Sequence, residues 1–265
     1  MELTVAGHRA FASTGGQIFD PKLPAAVFLH GAGMDHSVWS LPARYFAGHG
    51  RAVLALDFPG HGRSAGAPLA SVEAMADWVL AAMAAAGLAR ATLVGHSMGA
   101  LVALEASSRG APRVEALALL GVGAEMPVHP DLMAAARADD PKAIQLIAGW
   151  AHGSVGHMGG TKAPGLWTMG GGVRLLERAK PGVLAADLAA CAAYKGAPAA
   201  AEKFKGPVLL ILGSQDRMTP PKAAKPLAER LPQAETVTLA DAGHMMMTER
   251  PNETIAALQR ILAVG

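Results

Sequence analysis

The sequence predicts an α/β protein: a mostly parallel, twisted sheet of about eight strands with helices on both faces and a helical insert. Three observations predict it. Short apolar runs alternate with helical stretches along most of the 265 residues. Those runs lack the apolar–polar alternation of a half-exposed strand, as expected where crossover helices bury both faces. Between Gly121 and Gly206 the rhythm stops, and Ala, Gly and Met replace any clear strand.

In chain order, the first 16 residues form an expected antiparallel hairpin at the sheet edge. Buried strands are expected at Ala26–His30, Ala52–Phe58, Ala91–Gly95, Val114–Leu120 and Val208–Leu212, with a shorter one at Thr236–Leu239. Ser71 is a candidate N-cap for a helix to about Ala86, and Glu73 and Asp77 suit its N-terminal dipole. Further helices are expected over Lys222–Arg230 and over Asn252–Leu262, just after Pro251. The stretch from Gly121 to Gly206 is too long for a connection. It reads as helices at Asp131–Ala138, Pro141–Trp150, Val173–Ala179 and Val183–Tyr194, separated by glycine-rich loops at Gly153–Gly165 and Gly170–Gly172. The expected organisation is therefore a core of residues 1–121 and 207–265 with a helical cap over residues 122–206.

Composition bounds the function. A chain this long buries enough surface to need no disulfide or metal staple. Its single cysteine, Cys191, cannot form an internal disulfide, which fits a reducing compartment. No basic n-region with an apolar stretch opens the chain, and no apolar run approaches the ~18 residues of a membrane span. A cytoplasmic location and no membrane partner are expected. The net charge of +2 is too small to mark a nucleic-acid partner. Its distribution is uneven: Lys142 to Lys225 carries a net +7 and the remaining residues −5. Solvated helix faces account for this, or a weak bias towards anionic substrates.

The pattern G-x-S-x-G occurs twice, and context separates the copies. Ser97, in Gly95-His96-Ser97-Met98-Gly99, follows the strand run Ala91–Val94 and opens the helical run Ala100–Glu105. That strand-to-helix turn projects a serine hydroxyl above the sheet. Ser64 follows Pro59-Gly60-His61-Gly62 and precedes Pro68, so it reads as a turn residue. A serine needs an adjacent base oriented by an acid, and on such a turn the chain order is Ser, Asp or Glu, then His. Of the 10 histidines only His244 lies beyond the Val208–Leu212 strand. Asp216 ends that strand's extension at the edge where α/β sites gather. Asp241 and Glu125 are its rivals. Oxyanion donors are expected from the Met98 N–H and from the loop His30-Gly31-Ala32-Gly33, with Ala32 as the choice there.

These residues, with Asp57-Phe58-Pro59-Gly60-His61-Gly62-Arg63-Ser64, Gly213-Ser214-Gln215-Asp216 and Gly243-His244, resemble the α/β-hydrolase family in order and across nearly the whole chain. The resemblance implies that Asp57–Ser64 is a structural turn beside the site. It also implies that the insert shapes the substrate pocket, and that a serine here excludes the aspartate-based chemistry of haloalkane dehalogenases and epoxide hydrolases. The expected activity is cofactor-free hydrolysis of a small carboxylic ester. The same triad also serves C–C bond or enol-lactone hydrolysis, perhydrolysis, or a slowly turning-over ligand receptor.

Gly31, Met34, Trp150, Trp167 and Met245 are candidates to line the substrate pocket; Met34 and Met245 border the loops of the site and are adaptable fillers. His152 and His157 lack the spacing and companions of a metal pair, so no metal is expected. Gly170-Gly171-Gly172 does not follow a strand as a dinucleotide fingerprint would, and suits a hinge.

Overall fold

The computed structural model describes residues 1–158 and 167–263. Its strands are β1 (Glu2–Val5), β2 (His8–Ser13), β3 (Ala25–Leu29), β4 (Ala52–Leu56), β5 (Ala91–His96), β6 (Val114–Leu120), β7 (Val208–Gly213) and β8 (Ala234–Leu239). They form one sheet in the order β1-β2-β4-β3-β5-β6-β7-β8. β2 runs antiparallel to both β1 and β4, and every other pairing is parallel. The expected fold class is the one observed.

The missing alternation in the strands has a simple cause. Val27 and Leu29 of β3 enter one apolar cluster, and Ala26 and Phe28 enter the other. Each strand therefore buries both of its faces. Helices α1 (Ser40–Gly48), α2 (Val72–Ala85) and α3 (Met98–Arg109) precede β6. Ser71 Oγ caps α2 by accepting the Ala74 N–H at 3.2 Å. Residues of α2 and α3 pack on one face of the sheet. Trp39 and Phe46, on α1 and the turn before it, pack on the other. The sequence reading did not anticipate α1.

Between β6 and β7 lie α4 (Pro130–Arg137), α5 (Lys142–Ala151), α6 (Ser154–His157), α7 (Thr168–Leu176), α8 (Val183–Ala193) and α9 (Ala197–Lys203), with no strand among the described residues. α4 packs on α5 and α8, and α5 on α7. α9, also unanticipated, returns to the sheet layer: Ala197, Ala200 and Ala201 join the cluster that holds α3. After β7 come α10 (Pro221–Ala228), α11 (Met246–Glu249) and α12 (Pro251–Leu258).

Two loop expectations need correction. Gly170–Gly172 lies inside α7; a β-carbon at 170 would strike the Trp167 ring and one at 172 would lie 3.0 Å from His152 Cε1, whereas position 171 faces open space. Of the loop expected at Gly153–Gly165, Ser154–His157 is helical and residues 159–165 lie outside the described residues. Among the described residues no helix is long and apolar enough to cross a membrane.

Candidate active site

The sheet order decides which loops meet. β3, β5, β6, β7 and β8 are consecutive neighbours and parallel, so the segments leaving their C-terminal ends stand side by side. β3 is also the switch point, where the chain crosses to β4 on one side and to β5 on the other, and a crevice opens outside the strand ends there. Along this edge stand the loop from His30 to Met34, then Ser97, Gly121, Asp216 and His244.

Ser97 sits between β5 and α3 with φ 54° and ψ −117°, a conformation that a non-glycine residue holds only when its surroundings impose it. Its N–H donates to Leu120 O at 2.9 Å. The flanking glycines are needed for close approach. A β-carbon at Gly95 would lie 2.6 Å from Ala100 Cα, and one at Gly99 would lie 2.7 Å from His30 O. Met98 is the first residue of α3, so its N–H has no acceptor within the helix.

His244 Nδ1 lies 2.7 Å from Asp216 Oδ2, and both side chains are buried. Asp216 Oδ1 accepts the Met218 and Thr219 N–H groups at 2.8 Å each, and Thr219 Oγ1 donates to Oδ2 at 2.8 Å. Burial pushes the Asp216 pKa up, but the adjacent His244 ring and the hydrogen bonds from His244 and Thr219 outweigh it and hold the carboxyl below its ordinary value. The backbone of the histidine is pinned too. His244 N donates to Ala151 O at 2.7 Å, and His96 Nε2 lies 3.0 Å from His244 O. Burial and the neighbouring His244 lower the His96 pKa well below the usual histidine range, so His96 is a neutral donor here.

The rivals to Asp216 are engaged elsewhere. Asp241 is exposed and pairs with Arg250, and Glu125 pairs with Lys195. Ser64 is buried in its turn, where it donates to Asp57 O at 2.7 Å and accepts the Phe11 N–H at 2.9 Å. Asp35, His36 and Asp57 cluster closely, but their atoms are committed: His36 Nδ1 and N to Asp57, and Ser37 and Arg178 to Asp35. His152 is buried and its Nδ1 lies 3.0 Å from Ala148 O, while His157 is exposed.

A cavity of about 350 Å³ opens over Ser97 and His244. Ala32, Met34 and Trp150 line it, as expected. Gly31, Trp167 and Met245 are not among its lining residues. A side chain at Gly31 would strike His96, 2.9 Å away at Nδ1, and Trp167 and Met245 face a separate groove with Leu41 and Leu175. Sequence reasoning missed the rest of the wall: the segment Met126 to His129, then Leu132, Ile147, Leu188 and Cys191, with Arg217, Met218 and Thr219 on the Asp216 side. Burial pushes the Cys191 thiol up, so it lines the wall as a small neutral group. The apolar wall residues carry no sequence signal apart from core residues. Thr219 had one: an aspartate with N–H groups two and three residues on forms a local turn.

This sheet, with its polar groups gathered at the ends of the parallel strands, is that of an α/β hydrolase. Residues 26–258 match the Alpha/beta hydrolase family, and the chain belongs to that family. It is 28% identical over 260 residues to the sn-1-specific diacylglycerol lipase ABHD11 of Mus musculus, covering 92% of this chain and 82% of that one. It is 29% identical over 259 residues to the pimeloyl-[acyl-carrier protein] methyl ester esterase of Aromatoleum aromaticum, covering 90% and 98%. Among solved structures it is similar to a thermophilic esterase, with a TM-score of 0.80 at 25% identity over 100% and 98% of the chains. The enol-lactonase of Burkholderia xenovorans LB400 shares the fold, with a TM-score of 0.86 at 23% identity over 99% of both chains. The chain is a hydrolase.

Proposed function

We propose that the chain hydrolyses carboxylic esters with a medium-sized apolar acyl group, through Ser97, His244 and Asp216 as nucleophile, base and acid. The observation that carries this reading is the 2.7 Å His244–Asp216 pair, with His244 opening on the same cavity as the strained Ser97. His244 Nδ1–H donates to Asp216, which leaves Nε2 to accept the serine proton. Ser97 Oγ adds to the ester carbonyl, and the N–H groups of Ala32 and Met98 stabilise the oxyanion. The imidazolium returns its proton to the leaving alkoxide. Water, deprotonated by His244, then releases the acid and regenerates the serine. Each step uses the chain's own residues. From the proposed cap, residues 122–206, come the apolar side chains Met126, Val128, Leu132, Ile147, Trp150 and Leu188 of the cavity wall. The single buried Cys191 suits a cytoplasmic setting.

Hydrolysis of p-nitrophenyl acetate, butyrate and octanoate by the wild type and by Ser97→Ala tests the proposal. Turnover falls by at least about 10⁴-fold in the variant if Ser97 is the nucleophile. Equal turnover in both proteins removes Ser97 from the chemistry. No turnover by the wild type on any of the three moves the reading to a C–C bond or lactone substrate.

A further inference from the structure

Leu184, Asp187, Leu188 and Cys191 of α8 recur at intervals of three, one and three residues, which puts them on one face of the helix. Leu188 and Cys191 line the cavity. Leu184 closes on Gly33, where a β-carbon would lie 3.0 Å from Leu184 Cδ1. Asp187, wholly buried, lies on the same face. Its Oδ2 accepts the Gly33 N–H at 2.8 Å and lies 2.8 Å from His61 Nε2. Oδ1 is buried with no partner among the described residues.

The protonation of this pair follows from its acceptors. His61 Nδ1 lies 3.0 Å from Pro59 O and must donate to it. Nε2 faces a carboxylate oxygen that already takes the Gly33 N–H, so it donates as well. Both ring nitrogens donate only in the imidazolium. Burial opposes that charge, but the Asp187 hydrogen bond and charge and the Pro59 carbonyl outweigh it and raise the His61 pKa. The other ionisable groups facing His61 are His30, which is neutral, and Asp57.

A buried ion pair is a poor device for stability, because desolvation offsets most of its attraction, and apolar side chains would fill the space as well. An apolar residue cannot, however, hold the Gly33 N–H. Gly33 follows Ala32, and Met34 N closes the same turn onto Gly31 O at 3.2 Å. A bare carboxylate this close to a developing oxyanion would repel it; the His61 imidazolium cancels that field.

We propose that Asp187 is a positioning residue through which helix α8 holds the oxyanion loop, by its bond to the Gly33 N–H, with His61 as the neutralising partner. This rests on the reading of Ala32 as an oxyanion donor. Displacing that donor slows the chemical step and spares substrate binding.

The test measures kcat and KM on p-nitrophenyl butyrate, with melting temperature, for Asp187→Ala, Asp187→Asn, the double variant His61→Ala/Asp187→Ala, and Ser97→Ala. Asp187→Ala is expected to lose about 30- to 100-fold in kcat with KM within about threefold. The double variant strands no charge, lacks the same acceptor for Gly33, and should show the same loss if the single variant does not fold. Asp187→Asn keeps an acceptor oxygen and should stay within about threefold of the wild type. A lower melting temperature with kcat unchanged in the alanine variants would overturn the proposal. So would an asparagine variant as slow as alanine. Turnover surviving in Ser97→Ala would instead sink the esterase mechanism itself; its loss there beside normal Asp187→Ala kinetics defeats this inference alone.

Discussion

At the scale of single residues, the candidate site is built by filling acceptors. Asp216 takes two N–H groups on Oδ1, and on Oδ2 the Thr219 hydroxyl and the His244 ring. Buried carboxylates are expensive unless every oxygen is satisfied, and this one is held ionised by donors it cannot lose on folding. Thr219 Oγ1 also lies 3.1 Å from His244 Nδ1, so one hydroxyl touches both partners. Thr219→Val keeps the volume and removes that donor. A hydrogen bond to a charged group contributes about 1.5–3 kcal/mol, so a kcat about 10- to 100-fold lower at unchanged KM is expected if most of it is felt in the transition state. Steady-state kinetics on one ester decide it: an unchanged kcat would reduce Thr219 to packing. His96 is the second support, since its Nε2 faces the His244 carbonyl oxygen. Gly121 leaves the room the ring needs; a β-carbon there would lie 2.9 Å from His244 Nδ1.

At the scale of elements, one face of α8 divides its work along its length. Leu184 and Asp187 engage the loop after β3, and Leu188 and Cys191 form the cavity wall. The same helix therefore contributes both to the loop beside Ser97 and to the cavity wall, which under the proposed esterase reading sets the depth of the acyl pocket. Leu188→Ala separates the two roles, because Asp187 and its bonds are untouched. The vacated space admits about two further methylenes at ~0.8 kcal/mol each, so kcat/KM for octanoate over butyrate should rise about 15-fold. Absolute kcat on butyrate should change little. An unaltered chain-length profile would mean that the acyl group lies along another wall, that of Met126 and Val128 for instance.

At the scale of the molecule, the legible parts are those that carry a local rule. Apolar runs gave away the central strands because each buries both faces, whereas β8 has an exposed, mixed pattern and read as shorter than it is. The placement of Ser97, Asp216 and His244 at one sheet edge was readable because each follows a strand there. Only the second half of α7 was, as the helix expected at Val173–Ala179; three glycines count against a helix over its first half, and the Trp167 and His152 rings account for Gly170 and Gly172 but not for Gly171. Asp187 was invisible for a different reason: its partner His61 is 126 residues away. The same long-range burial produces a pH dependence of stability. Phe58 N donates to His30 Nε2 at 3.2 Å, so that nitrogen is unprotonated in the folded protein. Burial and the neighbouring His61 push the His30 pKa down to about 4 from 6.5. Between those values the unfolded chain binds the extra proton, so stability falls as pH falls through that window, by on the order of 3 kcal/mol from this residue. His96 adds to the slope, and Asp216 does so at still lower pH, where its depressed pKa is reached. His61 has the opposite sign: its raised pKa gives a contribution that is full below the unfolded value of 6.5 and lost as pH rises through the folded one. Urea midpoints at fixed ionic strength should therefore fall from pH 6.5 towards 4. His30→Gln, which can accept the Phe58 bond without titrating, should flatten that limb. A wild-type midpoint constant across the window would mean that His30 carries its proton in the folded state, which the bond from Phe58 forbids.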